Sequence, residues 1–254
     1  MKLFASDFDG TLRRYDRKEP YILKEDLEAI ASYRAKGHLF GMCSGRAFDS
    51  ILHAAAAIPQ ADFYVVTTGA VIGRMNDGKM EMLYEQEIER EYARKVFERY
   101  GNEQKIFYTH LNGYLYRIKN RTDGEHAQIC VPSFDDLPAG VIEGVSIGTD
   151  SATAAKRITD EINRDFAGII RAFQNNDYLD CVSHGCSKGE GVRRLRKMYE
   201  ADLIGGIGDS FNDIPLLDEA DVSFTFDFSP DEVKKHADYI VKTAAEALGI
   251  FTDL

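Results

Sequence analysis

No stretch of this chain approaches the ~20 consecutive apolar residues that a membrane-spanning helix requires, so no such span is expected. Residues 1–20 also lack the apolar core of a secretion signal, because Asp7, Asp9, Arg13, Arg14 and Asp16 interrupt them. A cytoplasmic protein is the expectation. Cysteine is sparse. Of Cys43, Cys130, Cys181 and Cys186 only the last two are near neighbours, and no His/Cys pair completes a zinc pattern. Buried, reduced thiols are therefore expected. Positive charge is in deficit, with 31 Lys and Arg against 42 Asp and Glu and a net charge of −11. That balance argues against nucleic acid or an anionic membrane surface as a partner. It leaves room for a small phosphorylated molecule, because a local metal site outweighs the global sign. Internal repeats, low-complexity tracts and flexible linkers are absent. What remains is a globular chain of 254 residues, 44% apolar and 29% charged, long enough for one large α/β domain or two smaller ones. Nothing in the composition bears on oligomeric state.

The chain opens on an apolar run, Leu3-Phe4-Ala5, that reads as a buried strand and ends in Ser6-Asp7-Phe8-Asp9-Gly10-Thr11-Leu12. Two carboxylates are thus delivered where a strand stops and the chain must turn. Like charges that close are costly unless a cation neutralises them or one takes up a proton. Taken alone, the pair also fits a solvated acidic turn. A helix over Lys24–Lys36 follows, closed by Gly37, then an apolar run Leu39–Cys43 that stops at Ser44-Gly45-Arg46. An Ala-rich helix over Ala47–Ile58, stopped by Pro59, precedes a third strand, Phe63–Thr67. Alternating strands and helices of these lengths predict a parallel sheet covered on both faces, with ligands beyond the carboxyl ends of its strands.

The pattern then changes. Asn76-Asp77-Gly78 and Asn112-Gly113 are hairpin signals between apolar strands, with a charged helix over Ile88–Tyr100 between the two hairpins. A strand at Val141–Thr149, a helix at Ala152–Phe166 and a strand pair around Asn175-Asn176-Asp177 complete a separate α+β module, expected over residues 79–185. From Ser187 the parallel pattern resumes. A helix opens at Lys188, and a strand over Leu203–Ile207 ends in Gly208-Asp209-Ser210-Phe211-Asn212-Asp213. A helix at Ile214–Ala220 and strands at Val222–Phe226 and Tyr239–Val241 follow. The expected organisation is a discontinuous parallel core, 1–78 and 186–254, interrupted by the module.

Four clusters fall at comparable places on that core. Asp7 with Asp9, and Asp209 with Asp213, could hold one hard cation such as Mg²⁺. Ser44 and the backbone N–H groups of Gly45 and Arg46, at a helix start, suit an anion, and Lys188 supplies a point charge for a phosphate. As chemistry the set is coherent: an aspartate nucleophile, a second acid to handle the proton, and cations to stabilise a phosphoryl group.

In these motifs the sequence resembles the haloacid dehalogenase superfamily of phosphohydrolases: Asp7-Phe8-Asp9-Gly10-Thr11, Ser44 in Cys43-Ser44-Gly45-Arg46, Lys188 in Ser187-Lys188-Gly189, and Gly208-Asp209-Ser210-Phe211-Asn212-Asp213. The insertion between the second and third resembles the type-two cap of the Cof-like sugar-phosphatase group. The resemblance implies a Rossmann-like α/β core with an inserted α+β cap domain and a Mg²⁺-dependent phosphatase of a small phosphorylated metabolite. Asp7 would be the nucleophile. Asp9 would be the general acid/base, with its backbone carbonyl on the metal. Gly10, Thr11, Ser44, Gly45, Arg46, Lys188 and Asn212 would bind the phosphoryl group or substrate. Asp7 and Asp209 would hold Mg²⁺, with Asp213 supporting them. One departure is that Thr68-Gly69-Ala70 stands where Cof-like relatives carry Asn-Gly-Ala, which bears on the usual substrate contacts.

Other residues read as ordinary structure. His110, His126 and His184 lack partners at metal or triad spacing and are expected at the surface. Arg117 and Lys119 read as a polar sheet face. Phe107, Tyr108, Tyr114 and Tyr116 read as cross-strand packing, and Glu85–Glu91 as a solvated helix start. Two alternatives to the phosphatase remain at this level. One is a phosphomutase sharing the core; the other is a non-catalytic phospho-ligand sensor resembling response-regulator receivers. An ion-pump ATPase is disfavoured, since that group carries Thr where Asp9 stands.

Overall fold

The acidic turn leaves the middle of an eight-stranded sheet. The structure, a computed structural model, describes residues 1–56, 58, 61–101, 106–118 and 129–254. The chain begins β1 (Lys2–Ser6), α1 (Lys24–Ala35), β2 (Leu39–Cys43), α2 (Phe48–Ala54), β3 (Phe63–Val66), β4 (Val71–Asn76) and β5 (Lys79–Glu85). It continues α3 (Arg90–Val96), β6 (Ile106–Leu111), β7 (Tyr114–Ile118), β8 (Ile129–Val131), β9 (Ile142–Gly148), α4 (Ala152–Asp165), β10 (Ile170–Asn175) and β11 (Tyr178–Ser183). It closes with α5 (Lys188–Tyr199), β12 (Leu203–Ile207), α6 (Ile214–Glu219), β13 (Val222–Phe226), β14 (Tyr239–Val241) and α7 (Ala244–Asp253).

The large sheet has the order β14-β13-β12-β1-β2-β3-β4-β5, parallel from β14 to β3 and antiparallel over the last two strands. A second sheet, β8-β7-β6-β9-β11-β10, is antiparallel apart from the β8–β7 pair. This is the expected α/β architecture, a parallel core with an inserted α+β cap.

The expected module start at residue 79 needs correction. Lys79–Glu85 pairs along its length with Val71–Asn76 and forms the edge of the large sheet. The reason is the turn: Asp77 and Gly78 both have positive φ, and so tight a hairpin keeps its two strands in one sheet. We place the insertion between Gln86 and Gly185. The helix expected over Ile88–Tyr100 starts later, at Arg90, and widens into a π turn over Phe97–Gly101. The α2 helix ends at Ala54, and Pro59 lies outside the described residues. Several elements have no sequence-derived counterpart, among them the strand β8, Ile129–Val131, and two others. One is a short ribbon of Arg13–Arg14 with Tyr21–Ile22; the other is α7, whose Phe251 packs edge-on to Phe4 at 5.5 Å. Buried Asp26 ties α7 to α1 by accepting from the Ala245 N–H at 2.8 Å.

The cap sheet shows the period of two that a half-covered strand imposes. Phe107, Val145, Ile147, Leu179 and Cys181 point into an apolar core with Ile158 and Ile162 of α4. Their neighbours Tyr108, His110, Leu115, Ser146, Tyr178 and Asp180 face the strand ends of the core. Tyr108 therefore serves the cavity, whereas Phe107 stacks edge-on against Phe97 at 5.2 Å.

At the junction of the two sheets Glu143 is fully buried, accepting from the Gly113 N–H at 2.6 Å. Burial, with the neighbouring Glu85 carboxylate adding to it, pushes its carboxyl from an ordinary 4.5 up to about 9. Between those values the folded chain holds a proton that the unfolded chain releases, so this group makes stability fall as pH rises. Glu143→Gln is expected to raise the melting temperature at pH 8 and to change it little at pH 4.5. Thermal melts across that range check this, and an equal shift at both pH values would contradict it.

Candidate active site

Three of the four predicted clusters line one cavity of about 350 Å³ between the core strand ends and the cap sheet, and the fourth, Lys188, stands behind it in contact with Asp7. The floor is built around Lys188. Its helix opens at Ser187, whose hydroxyl accepts from the Glu190 N–H at 3.1 Å and so fixes where the first turn begins. The Lys188 side chain is 0% exposed and donates to Asp7 Oδ1 at 2.6 Å and Asp213 Oδ1 at 2.5 Å. Burial alone would push this ammonium down, yet the two carboxylates outweigh it and hold it well above its ordinary value. Asp7 moves up as well, through burial and the nearby Asp213 carboxylate, against the pull of Lys188.

Asp213 has both oxygens engaged. Oδ1 takes Lys188, and Oδ2 accepts the N–H groups of Asp209 and Ser210 at 3.0 and 2.9 Å in a capping box. Thr11 donates to Asp209 Oδ1 at 3.0 Å, so its hydroxyl orients a carboxylate rather than facing a phosphate. Gly10 makes that approach feasible, since a Cβ there would lie 2.6 Å from Asp209 Oδ2 and its φ is +89°. Burial, with Asp213 adding to it, pushes the Asp209 carboxyl up to about 7.

Asp7, Asp209 and Asp213 present oxygens within 4.8 Å of one another. This hard, all-carboxylate donor set fits Mg²⁺, with Asp7 and Asp209 offering oxygens and Asp213 bracing the loop. The Asp9 side chain stands apart. Arg46 forks onto it, Nε to Oδ2 at 2.5 Å and NH2 to Oδ1 at 2.8 Å, and the Tyr15 hydroxyl donates to Oδ1. Burial pushes this carboxyl up, but Arg46 and Tyr15 outweigh it and hold it below the usual range. Only the backbone carbonyl of Asp9 is left to serve a metal.

Ser44 is buried at the end of β2. Its hydroxyl accepts from the Arg46 N–H at 3.2 Å, so that N–H closes the loop instead of pointing at a ligand. Asn212, nearly buried, also borders the cavity beside Gly45 and Ser210. Thr68 is fully buried in a left-handed conformation, φ 49°, and is not among the described residues that line the cavity. It lies beside Asp180, whose carboxyl burial raises to about 6 against the opposing pull of Ser146, Lys188 and Thr68, so the contact of Thr68 with a substrate is indirect.

The roof contains residues that spacing alone does not reveal. His110 is buried rather than exposed, with Nδ1 3.2 Å from the Thr67 hydroxyl and Nε2 2.8 Å from Ser146 Oγ. Burial lowers it to about 3, so it is neutral at physiological pH. Ser146 in turn donates to Asp180 Oδ1 at 2.6 Å. Arg117 is also buried, its guanidinium 6.0 Å from the centre of the Tyr108 ring, so it is not a solvated sheet face. His184 is exposed as expected, while His126 and Lys119 lie outside the described residues.

A parallel core with acidic strand ends, a buried lysine and an inserted cap define a capped hydrolase of the α/β kind. The chain belongs to the haloacid dehalogenase-like hydrolases, whose family model matches residues 4–254. Among curated proteins the sequence finds no significant match. The fold is similar to that of a haloacid dehalogenase-like hydrolase from B. subtilis: 17% identity, TM-score 0.84, covering 100% of this chain and 99% of that one. It is also similar to a haloacid dehalogenase-like hydrolase from Bacteroides thetaiotaomicron, at 23% identity, TM-score 0.77 and 98% and 99% coverage. A third similar structure is a sugar phosphatase of HAD subclass IIB, at 18% identity, TM-score 0.79 and full coverage of both chains. Among the described residues no helix is long and apolar enough to cross a membrane.

Proposed function

We propose that this protein is a Mg²⁺-dependent phosphatase of a small phosphorylated metabolite, a sugar phosphate being the leading class, acting through an aspartyl-phosphate on Asp7. The observation that carries the reading is the Lys188 ammonium, fully buried between Asp7 and Asp213 directly behind Asp7, which lines a cavity with Ser44 and Asp209. A buried cation so committed pulls Asp7 towards its ionised form, against burial and Asp213, and aims its carboxylate, which a nucleophile needs and a packing role does not. The subclass IIB sugar phosphatase of similar fold supports the choice of substrate class.

Asp7 attacks phosphorus with the oxygen that Lys188 does not hold, while the ester P–O bond breaks and Asp9 gives its proton to the leaving oxygen. Water then attacks the acyl phosphate, Asp9 takes its proton, and the Asp7–phosphorus bond breaks to release phosphate. Mg²⁺ held by Asp7 and Asp209 would offset the negative charge of the phosphoryl group. In the structure Asp9 is paired and ionised, ready as a base. Its acid role requires Arg46 to be drawn off, and Arg46 belongs to the Ser44-Gly45-Arg46 loop, where a phosphoryl oxygen competes for the guanidinium. The setting we propose is cytoplasmic, in keeping with four free thiols, of which Cys43, Cys181 and Cys186 are buried as expected and Cys130 is exposed.

With Mg²⁺, the purified protein is expected to release inorganic phosphate from p-nitrophenyl phosphate and from members of a phosphorylated-metabolite panel. EDTA should stop release and added Mg²⁺ restore it. No phosphate from any compound with Mg²⁺ present would defeat the reading, and product isomerisation without release would point to a mutase.

A further inference from the structure

We propose that Asp180 selects the leaving group, accepting a hydroxyl on the carbon next to the phosphoester and repelling any anionic group placed there. The proposal rests on the phosphatase reading and narrows its substrate to neutral polyhydroxy monophosphates.

Asp180 descends from the cap strand β11 directly onto the phosphate loop. A Cβ on Gly45 would lie 2.5 Å from Asp180 Oδ2, so the absence of a side chain at 45 is what admits the carboxylate there. Its two oxygens have separate surroundings. Oδ1 is held by the Ser146 hydroxyl at 2.6 Å, and Ser146 is fixed by His110, itself anchored on Thr67 of the core. Oδ2 looks down on the loop that carries Ser44 and Arg46. The residue is therefore aimed by a chain of hydrogen bonds that starts in the core and crosses three cap strands. It ends over Gly45 of the Ser44-Gly45-Arg46 loop. A hydroxyl beside the ester is the substrate group that reaches it.

The charges around the cavity set the exclusion. Asp177 lines the same roof, and the floor holds Asp7, Asp9 and Asp209. Among the described residues lining the cavity, Arg46 supplies the positive charge, and it is forked onto Asp9. Mg²⁺ bound by Asp7 and Asp209 would serve the phosphoryl group, and Lys188 is committed to Asp7 and Asp213. Among the described residues lining the cavity none besides Arg46 offers a cation to a second phosphate or a carboxylate facing Asp180, and like charges brought together in a buried site are strongly disfavoured.

Four monoesters test this. Glycerol 1-phosphate carries the adjacent hydroxyl, propyl phosphate lacks it, 3-phosphoglycerate carries it with a carboxylate, and p-nitrophenyl phosphate reports the phosphoryl machinery alone. In the wild-type enzyme kcat/KM should favour glycerol 1-phosphate over both three-carbon analogues. Asp180→Ala should shrink the glycerol 1-phosphate to propyl phosphate ratio at least tenfold. Asp180→Asn, which keeps the shape and discards the charge, should shrink the glycerol 1-phosphate to 3-phosphoglycerate ratio at least tenfold. Ratios within one variant cancel losses of folded protein, and the Asn variant decides alone if the Ala variant does not fold. Ratios within threefold of wild type in both variants overturn the assignment of Asp180 and leave the phosphatase standing. Wild-type enzyme that releases phosphate from none of the four, p-nitrophenyl phosphate included, overturns both.

Discussion

Asp7→Asn is expected to lower kcat by a factor on the order of 10⁴ or more while leaving the melting temperature unchanged or slightly higher. An amide has the shape of the carboxylate but cannot attack phosphorus. The fold does not need the Asp7 charge, because Lys188 keeps Asp213 at 2.5 Å. Removing one of two adjacent buried carboxylates also relieves the repulsion that raises Asp7. Phosphate release and a thermal melt on the same preparation check both halves. A variant that retains a tenth of wild-type turnover would exclude Asp7 as the nucleophile.

Lys188→Met should act on both stability and turnover. The side chain is completely buried, and its loss leaves Asp7 and Asp213 without their shared cation. Breaking a buried pair from one side costs about 3–5 kcal/mol. For a chain of this size that corresponds to a fall of roughly 6–20 °C in melting temperature. The sign of its pH dependence follows from Asp7. That carboxyl already sits above its ordinary 3.8, so it destabilises the fold above that value and stops doing so once protonated. Without Lys188 the elevation grows. The deficit measured in EDTA should therefore be largest near neutral pH and shrink as the pH falls towards 4.5. A pH-independent loss would mean that packing of the aliphatic stem, rather than charge, is what Lys188 contributes.

The floor of the site was legible in the sequence because each of its parts is local. Asp7, Ser44 and Asp209 each end a buried strand, and a strand that stops at a carboxylate or hydroxyl announces where that group will stand. The roof was not legible. Alternation shows that Tyr108, His110 and Arg117 differ in face from Phe107 and Ile118, but not which face has a partner above it. His110 and Arg117 are polar residues on a face that solvent would explain equally well. Only the core beneath them makes them buried. The boundary at Lys79 failed for a related reason: the hairpin is visible in Asn76-Asp77-Gly78, but the sheet that claims it is a matter of tertiary pairing. The terminal helix Ala244–Asp253 was hidden by composition, since Ala-Ala-Glu-Ala-Leu-Gly-Ile-Phe offers little polar contrast for a helical period to show.

The position of β1 has a consequence for how the molecule is born. Lys2 pairs with Leu203 on one side, while Leu3 pairs with Leu39 on the other. On the ribosome the amino-terminal strand has one of its neighbours early and must wait for the other until the whole cap has emerged. Contacts so distant along the chain are slow to form. The delay also keeps Asp7 away from Asp209 and Asp213, whose loop follows β12. The mutually repelling acids meet only in the closing step, when Lys188 has already been synthesised and can arrive with them.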